Sequence, residues 1–173
     1  MEFILILLLS LATLIKTKTT QEVHVYAASS GIHVSFVDNG INYFYSSDSV
    51  YMQKMTSANY HLKGISKSVN VQNTSWFMNN HANFQNMRIS ILSPTHWKTK
   101  TVQQALETDI LIIGNKLKPK INYVLENLHP KIIVVDKSIS AWYTENIRKA
   151  CYEKHIRFYS IADKGAFVYS VQN

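Results

Sequence analysis

The sequence predicts an α/β domain, and three observations carry the prediction. Two short runs, residues 109–113 and 132–136, are almost wholly apolar, as strands buried on both faces are. Between and after them, apolar residues fall at helical spacing. The last part of the chain turns at Asp163-Lys164-Gly165 into Ala166-Phe167-Val168-Tyr169, a short strand. Strand, helix, strand, helix, strand, strand is the alternation of an α/β layer.

Each element has its own signal. Met87-Arg88-Ile89-Ser90-Ile91-Leu92 alternates and stops at Ser93-Pro94, which predicts a strand. The run at 109–113 stops at Gly114. Pro119 suits the start of a helix, and Ile121, Val124, Leu125 and Leu128 at i, i+3, i+4 and i+7 form one stripe that ends at His129-Pro130. A second buried strand takes residues 132–136. Trp142, Ile147, Ala150 and Cys151 outline the next helix, with Trp142 expected as its core anchor and a stacking platform as the alternative role. A third strand spans 156–160, and Gly165 is expected at positive φ in the final turn. Residues 46–108 are polar and rich in Asn, Ser, Thr and His, with scattered aromatics, and show no repeat; apart from the strand at 87–92 they predict no element.

The chain has 173 residues, 46% of them hydrophobic and 17% charged, enough for one core and not two, so residues 21–173 are treated as one unit. The lone Cys151 excludes an internal disulfide and reads as a small buried apolar residue. At the amino terminus, residues 3–15 carry no charge and Lys16 and Lys18 end the run. A spanning helix takes about 20 residues. The run is therefore short for one, and the preceding Met1-Glu2 is not the positive flank of a secretory signal. Residues 1–18 are expected to be a hydrophobic membrane segment, the end of a spanning helix that belongs to a longer protein; a buried core helix is the plainer alternative.

Beyond these local signals, an ordered set of segments resembles a known family. Asp109-Ile-Leu-Ile-Ile-Gly114, Val124-Leu-Glu-Asn-Leu-His-Pro-Lys-Ile-Ile-Val-Val-Asp136, Cys151-Tyr-Glu-Lys-His-Ile-Arg-Phe-Tyr159 and Asp163-Lys-Gly-Ala-Phe-Val168 together resemble the end of the ComEC competence proteins, particularly Bacteroidetes-type members. Upstream, His24-Val-Tyr26 followed by Val34-Ser-Phe-Val-Asp38-Asn-Gly40 is similar to the first strand pair of that domain, with its Phe-x-Asp-Val-Gly-Gln-Gly-Asp motif reduced to Phe36-Val37-Asp38-Asn39-Gly40. The resemblance implies a metallo-β-lactamase-like domain closing a polytopic membrane protein that passes transforming DNA into the cell.

It also shows what this sequence lacks. Active members of that fold hold zinc with a His-x-His-x-Asp-His run and later His and Asp ligands, because a metal-bound water needs several converging N and O donors. The seven histidines here, His24, His33, His61, His81, His96, His129 and His155, never fall within four residues of one another. Where the family carries His-His-Gly-Ser, this chain reads Gly114-Asn115-Lys116-Leu117, and the stretch before Asp109 is too short for the usual catalytic loops. The expectation is a shortened, degenerate scaffold with no catalytic residues, no metal ligands and no cofactor.

Function then rests on charge. Eighteen basic against eleven acidic residues give +7. Lys63, Lys67, Lys98 and Lys100 flank aromatic positions, as do Arg148, Lys149, Lys154 and Arg157 near Tyr152 and Phe158, a combination that suits single-stranded DNA. The same charge suits a solvated surface or anionic lipid beside a membrane anchor. Arg148, Lys149, Lys154 and Arg157 are the candidate nucleic-acid contacts. Asp38 and Asp136, at the carboxyl ends of predicted strands, are the candidates for any residual site, with turn capping as their plainer role. The reading is a membrane-tethered, non-catalytic module of a DNA-uptake channel at the inner membrane, with DNA, the membrane and other channel subunits as partners. Two rivals stand beside it: a metal-dependent hydrolase acting on nucleic acid through Asp38, His33, Asp136 and one remote His, and a standalone anchored protein of unrelated function. Lys16 and Lys18 point to a cytoplasmic domain, whereas the resemblance points outside the inner membrane.

Overall fold

The computed structural model describes residues 4, 6, 20–28, 31–47, 65–92 and 104–171. They form a mixed α/β fold of two sheets. The first has the order β11-β1-β2-β3-β4, from β1 (Gln21–Val25), β2 (His33–Asp38), β3 (Ile41–Ser46), β4 (Lys67–Asn70) and β11 (Phe167–Ser170). The second has the order β10-β9-β8-β7-β6-β5, from β5 (Phe77–Met78), β6 (His81–Phe84), β7 (Met87–Ile91), β8 (Leu106–Ile113), β9 (Leu128–Val135) and β10 (Arg157–Ser160). Strands β7 to β10 run parallel, while β5 to β7 are joined by hairpins.

Side-chain alternation makes three layers. Ile110 and Ile112 of β8 and Ile132 and Val134 of β9 point, with Ile89 of β7, toward the first sheet, where they pack in one core with Val23, Phe36 and Phe167. Their neighbours Leu111, Ile113, Ile133 and Val135 point the other way, onto α1 (Ile121–Asn127) and α2 (Ala141–Glu153). Parallel strands need crossovers, and α1 and α2 supply them while covering that face. Phe36 is wrapped by Trp76 and Phe84 at ring separations of 5.3 and 5.4 Å, which locks the hairpin strands onto the first sheet.

The strand pair β1–β2, the strand β7, the two buried runs and both helices lie where the sequence places them. Gly165 has φ +79°, as expected, although the residues before it form a helical turn, α3 (Ile161–Lys164), with Ser160 as its cap. Three expectations are corrected. Leu128 begins β9 instead of closing α1, and His129-Pro130 lies inside the strand; β10 pairs with β9 only from Ile132 onward, so the missing N–H of Pro130 leaves no ladder bond unmade on that side. Trp142 is 72% exposed, because its neighbour Tyr143, together with Ile147, Ala150 and Cys151, forms the buried stripe of α2. The polar middle holds β4, β5, β6 and a 3-10 turn at Val71–Asn73.

Of the apolar amino-terminal run only Ile4 and Ile6 are described, both helical and exposed, so the expected membrane segment lies largely outside the described residues. No helix among the described residues is long and apolar enough to cross a membrane.

The two faces of α2 should respond differently to truncation. Ile147→Ala empties a fully buried position and is expected to lower unfolding free energy by about 2–5 kcal/mol, whereas Trp142→Ala should stay within about 0.5 kcal/mol of the parent. Urea unfolding measures both, and equal losses would place Trp142 back in the core.

Candidate functional site

The carboxyl ends of β8 and β9 form one locus. Gly114 follows β8 and Asp136 follows β9, and a Cβ on Gly114 would collide with the Asp136 carboxylate and with Ile32, the residue before β2. Asp136 is 5% exposed, and its carboxylate bonds within its own loop and to the loop after β8. Its Oδ1 accepts from the Ser138 backbone N–H at 2.7 Å and from Ser138 Oγ at 2.6 Å, and its Oδ2 accepts from the Asn115 N–H at 3.2 Å. The Lys116 N–H donates to Ser138 Oγ at 2.9 Å. Asn115 and Lys116 both take the left-handed conformation, φ +57° and +58°, which turns their N–H groups back onto this pair. The carboxylate is thus a clasp between two strand-end loops, and three donors offset the cost of burying its charge.

A zinc ion does not fit this donor set. It needs three or four converging ligands, and here one carboxylate stands among backbone amides and a serine. Among the described residues no three His, Cys, Asp or Glu side chains are grouped closely enough to share an ion.

Asp38 lies elsewhere. It ends β2, five residues from His33, so the two are separated by about 16 Å along an extended strand. Ile32, beside His33, reaches the Gly114–Asp136 locus, which leaves Asp38 at the far end of the strand. There its carboxylate accepts from Gln21 Nε2 at 3.1 Å, Asn39 Nδ2 at 2.9 Å and Gln85 Nε2 at 3.0 Å, pinning the β6–β7 turn to the first sheet. Asp38, His33 and Asp136 therefore do not come together as one site.

The histidines are dispersed. His24 sits 2.7 Å from Glu22, His33 Nδ1 2.8 Å from Ser46 Oγ, His81 Nδ1 2.9 Å from Ser90 Oγ and His129 3.2 Å from Glu107, while His155 is exposed; His61 and His96 lie outside the described residues. Cys151 is fully buried and its thiol is pushed up to about 12 by that burial, so it stays protonated and packs as an apolar side chain.

The basic candidates do share one region. Arg148 and Lys149 are on α2, Lys154 caps it and Arg157 opens β10. Arg148 is committed: its guanidinium bonds Asp163 at 2.7 Å and Glu145 at 3.0 Å and lies 4.7 Å over the Phe158 ring. The Asp163 pairing raises the Arg148 pKa and holds the Asp163 carboxyl below its usual range. Lys149 and Lys154 are exposed and make no ion pair among the described residues. Arg157 lines a cleft of about 540 Å³ over the middle of β8 and β9 and the starts of β7 and β10, with Asp109, Lys131 and Tyr169. Of the lysines flanking aromatics upstream, Lys67 is exposed on β4, and Lys63, Lys98 and Lys100 lie outside the described residues. Tyr152, which the sequence sets beside these cations, is 85% exposed, and what sequence reading missed is that Trp142 is exposed too, at 72%. The helical phase of Tyr143 relative to Ile147 and Cys151 is the signal that separates Trp142 from the core.

Within the cleft, Asp109 ties three strands. Its carboxylate takes the Arg88 N–H of β7 at 2.8 Å and the Lys131 ammonium of β9 at 2.8 Å. Burial pushes the Asp109 carboxyl up, but the bonds from Lys131 and Arg88 outweigh that and hold it below the ordinary carboxylate range.

Among known protein families, the model described as the ComEC C-terminal domain matches residues 23–171. No curated protein and no solved structure matches.

A lowered carboxyl pKa in the folded state means that Asp109 stabilises the fold above its unfolded value near 3.9 and loses that contribution as pH falls through the folded value. Asp109→Asn is expected to cost about 1–3 kcal/mol at pH 7, with the gap to the parent closing at low pH. Urea unfolding from pH 7 to pH 2 tests this, and a gap that does not change with pH would contradict the assignment.

Proposed function

This chain belongs to the ComEC C-terminal domain family, and from that premise we propose that it is a DNA-contacting or assembly module of a DNA-uptake system, without hydrolytic chemistry of its own. The family points to competence and DNA uptake. The finer reading is a membrane-tethered, degenerate metallo-β-lactamase-like domain at the inner membrane, working with DNA and with other parts of the channel.

The observation that carries the non-catalytic reading is the Asp136 carboxylate, which accepts three hydrogen bonds from within the fold. At the strand end where the resemblance calls for His-His-Gly-Ser, the chain has Gly114-Asn115-Lys116-Leu117, and the backbone of that loop is taken up in holding the carboxylate. A metal ion would have to displace those bonds with no imidazole to compensate. The two-sheet arrangement with helices on one face is compatible with a shortened scaffold of that kind. The charge-free run at 3–15 supports the tether, and the excess of +7 supports contact with phosphate.

The purified full chain is expected to bind DNA oligonucleotides at low salt, to lose affinity steeply as salt rises, and to cleave nothing whether or not Zn2+ or Mn2+ is added. Stoichiometric zinc with metal-dependent nuclease activity would overturn the non-catalytic reading. Failure to bind single- or double-stranded DNA at low salt would overturn the DNA contact.

A further inference from the structure

The outer face of α2 carries two large aromatic rings that the fold does not use. Trp142 is 72% exposed and Tyr152 is 85% exposed, on a helix whose opposite face is buried from Tyr143 to Cys151. At 3.6 residues per turn, Trp142, Glu145, Lys149 and Tyr152 fall within a sector of about 80°, centred away from the buried stripe. The two rings are about 15 Å apart along the axis.

The charges around them are not balanced. From Lys137 to Lys164 the chain has six Lys or Arg and three Asp or Glu. Arg148 neutralises Glu145 and Asp163 in the closest pairs. That leaves Lys149 between the rings and Lys154 just beyond Tyr152, with the exposed Glu153 as the one further carboxylate of the segment. No aliphatic side chain lies in the sector. A face built to dock on protein or to lie in a bilayer would carry a continuous apolar stripe, whereas two isolated rings with an exposed lysine between them and another just beyond match a polyanion that has exposed flat bases.

We propose that Trp142 and Tyr152 are stacking platforms for unpaired bases of single-stranded DNA, with Lys149 and Lys154 contacting the intervening phosphates. This assigns the contacting surface of the module and rests on the DNA-contact reading above. Duplex DNA hides its base faces, so it engages the lysines and leaves the rings unused.

The test is oligo(dT) binding by the purified full chain, the Trp142→Ala, Tyr152→Ala double variant, the Trp142→Phe, Tyr152→Phe double variant, and the Lys149→Gln, Lys154→Gln double variant. Losing one stack weakens binding by about 5- to 150-fold, so the alanine pair should fall by at least that much, while the phenylalanine pair stays near the parent. The alanine pair should leave the salt dependence of binding unchanged, and the glutamine pair should flatten it by about 0.7 in the log–log slope for each phosphate no longer neutralised. Duplex binding by the alanine pair should match the parent. Because both rings are exposed, melting temperatures should be preserved.

Parent-like oligo(dT) affinity in the alanine pair would overturn the stacking proposal while leaving DNA contact intact. A parent that binds no DNA would remove both readings together. Weakened binding to phosphatidylserine vesicles with unchanged DNA affinity would also overturn the proposal and assign this face to the bilayer.

Discussion

From Ile110 to Ile113 strand β8 has no free face, and the rest of the fold follows from that constraint. Every side chain there is fully buried, alternately toward the first sheet and toward the helices. A strand of this kind must be central, flanked by β7 and β9, and covered on both sides. Its parallel neighbours in turn require the crossovers that α1 and α2 provide. The same registry brings the ends of β8 and β9 together, so Gly114 meets Asp136 and the loops close over a carboxylate.

Elements that depend on burial are legible in the sequence, and those that depend on turn chemistry are less so. The runs at 109–113 and 132–136 are legible because two-sided burial removes polar residues from both parities. The strands β5 and β6 are two and four residues long, too short for alternation to register. Their positions are set by paired turn residues instead. Asn79-Asn80 and Gln85-Asn86 all have positive φ, between 49° and 64°, the backbone that a two-residue hairpin needs, and asparagine tolerates it better than most side chains. The same geometry at Asn39-Gly40 joins β2 to β3. Trp142 departs from expectation because size alone suggests an anchor, whereas the phase of the helix puts Tyr143 in that role.

The candidate site shows a similar split. Position at a strand end is legible for Asp38 and Asp136, but strand-end carboxylates make a site only if the topology brings them together. Here it sends them to opposite ends, where each is taken up by amides and hydroxyls of nearby turns. The basic group is legible as a cluster, although pairing with Glu145 and Asp163 removes Arg148 from those open to a ligand. The strand-end carboxylates are thus engaged within the fold, whereas Trp142, Lys149 and Tyr152 on the outer face of α2 stand exposed.

The most direct test is to follow the backbone amide resonances of the full chain as Zn2+ and, separately, oligo(dT) are added. Zinc should cause no shifts at Asn115, Lys116, Asp136 and Ser138, and DNA should cause shifts concentrated between Trp142 and Arg157. Saturable zinc shifts at the Gly114–Asp136 locus, with α2 silent toward DNA, would contradict a scaffold that works through its surface alone.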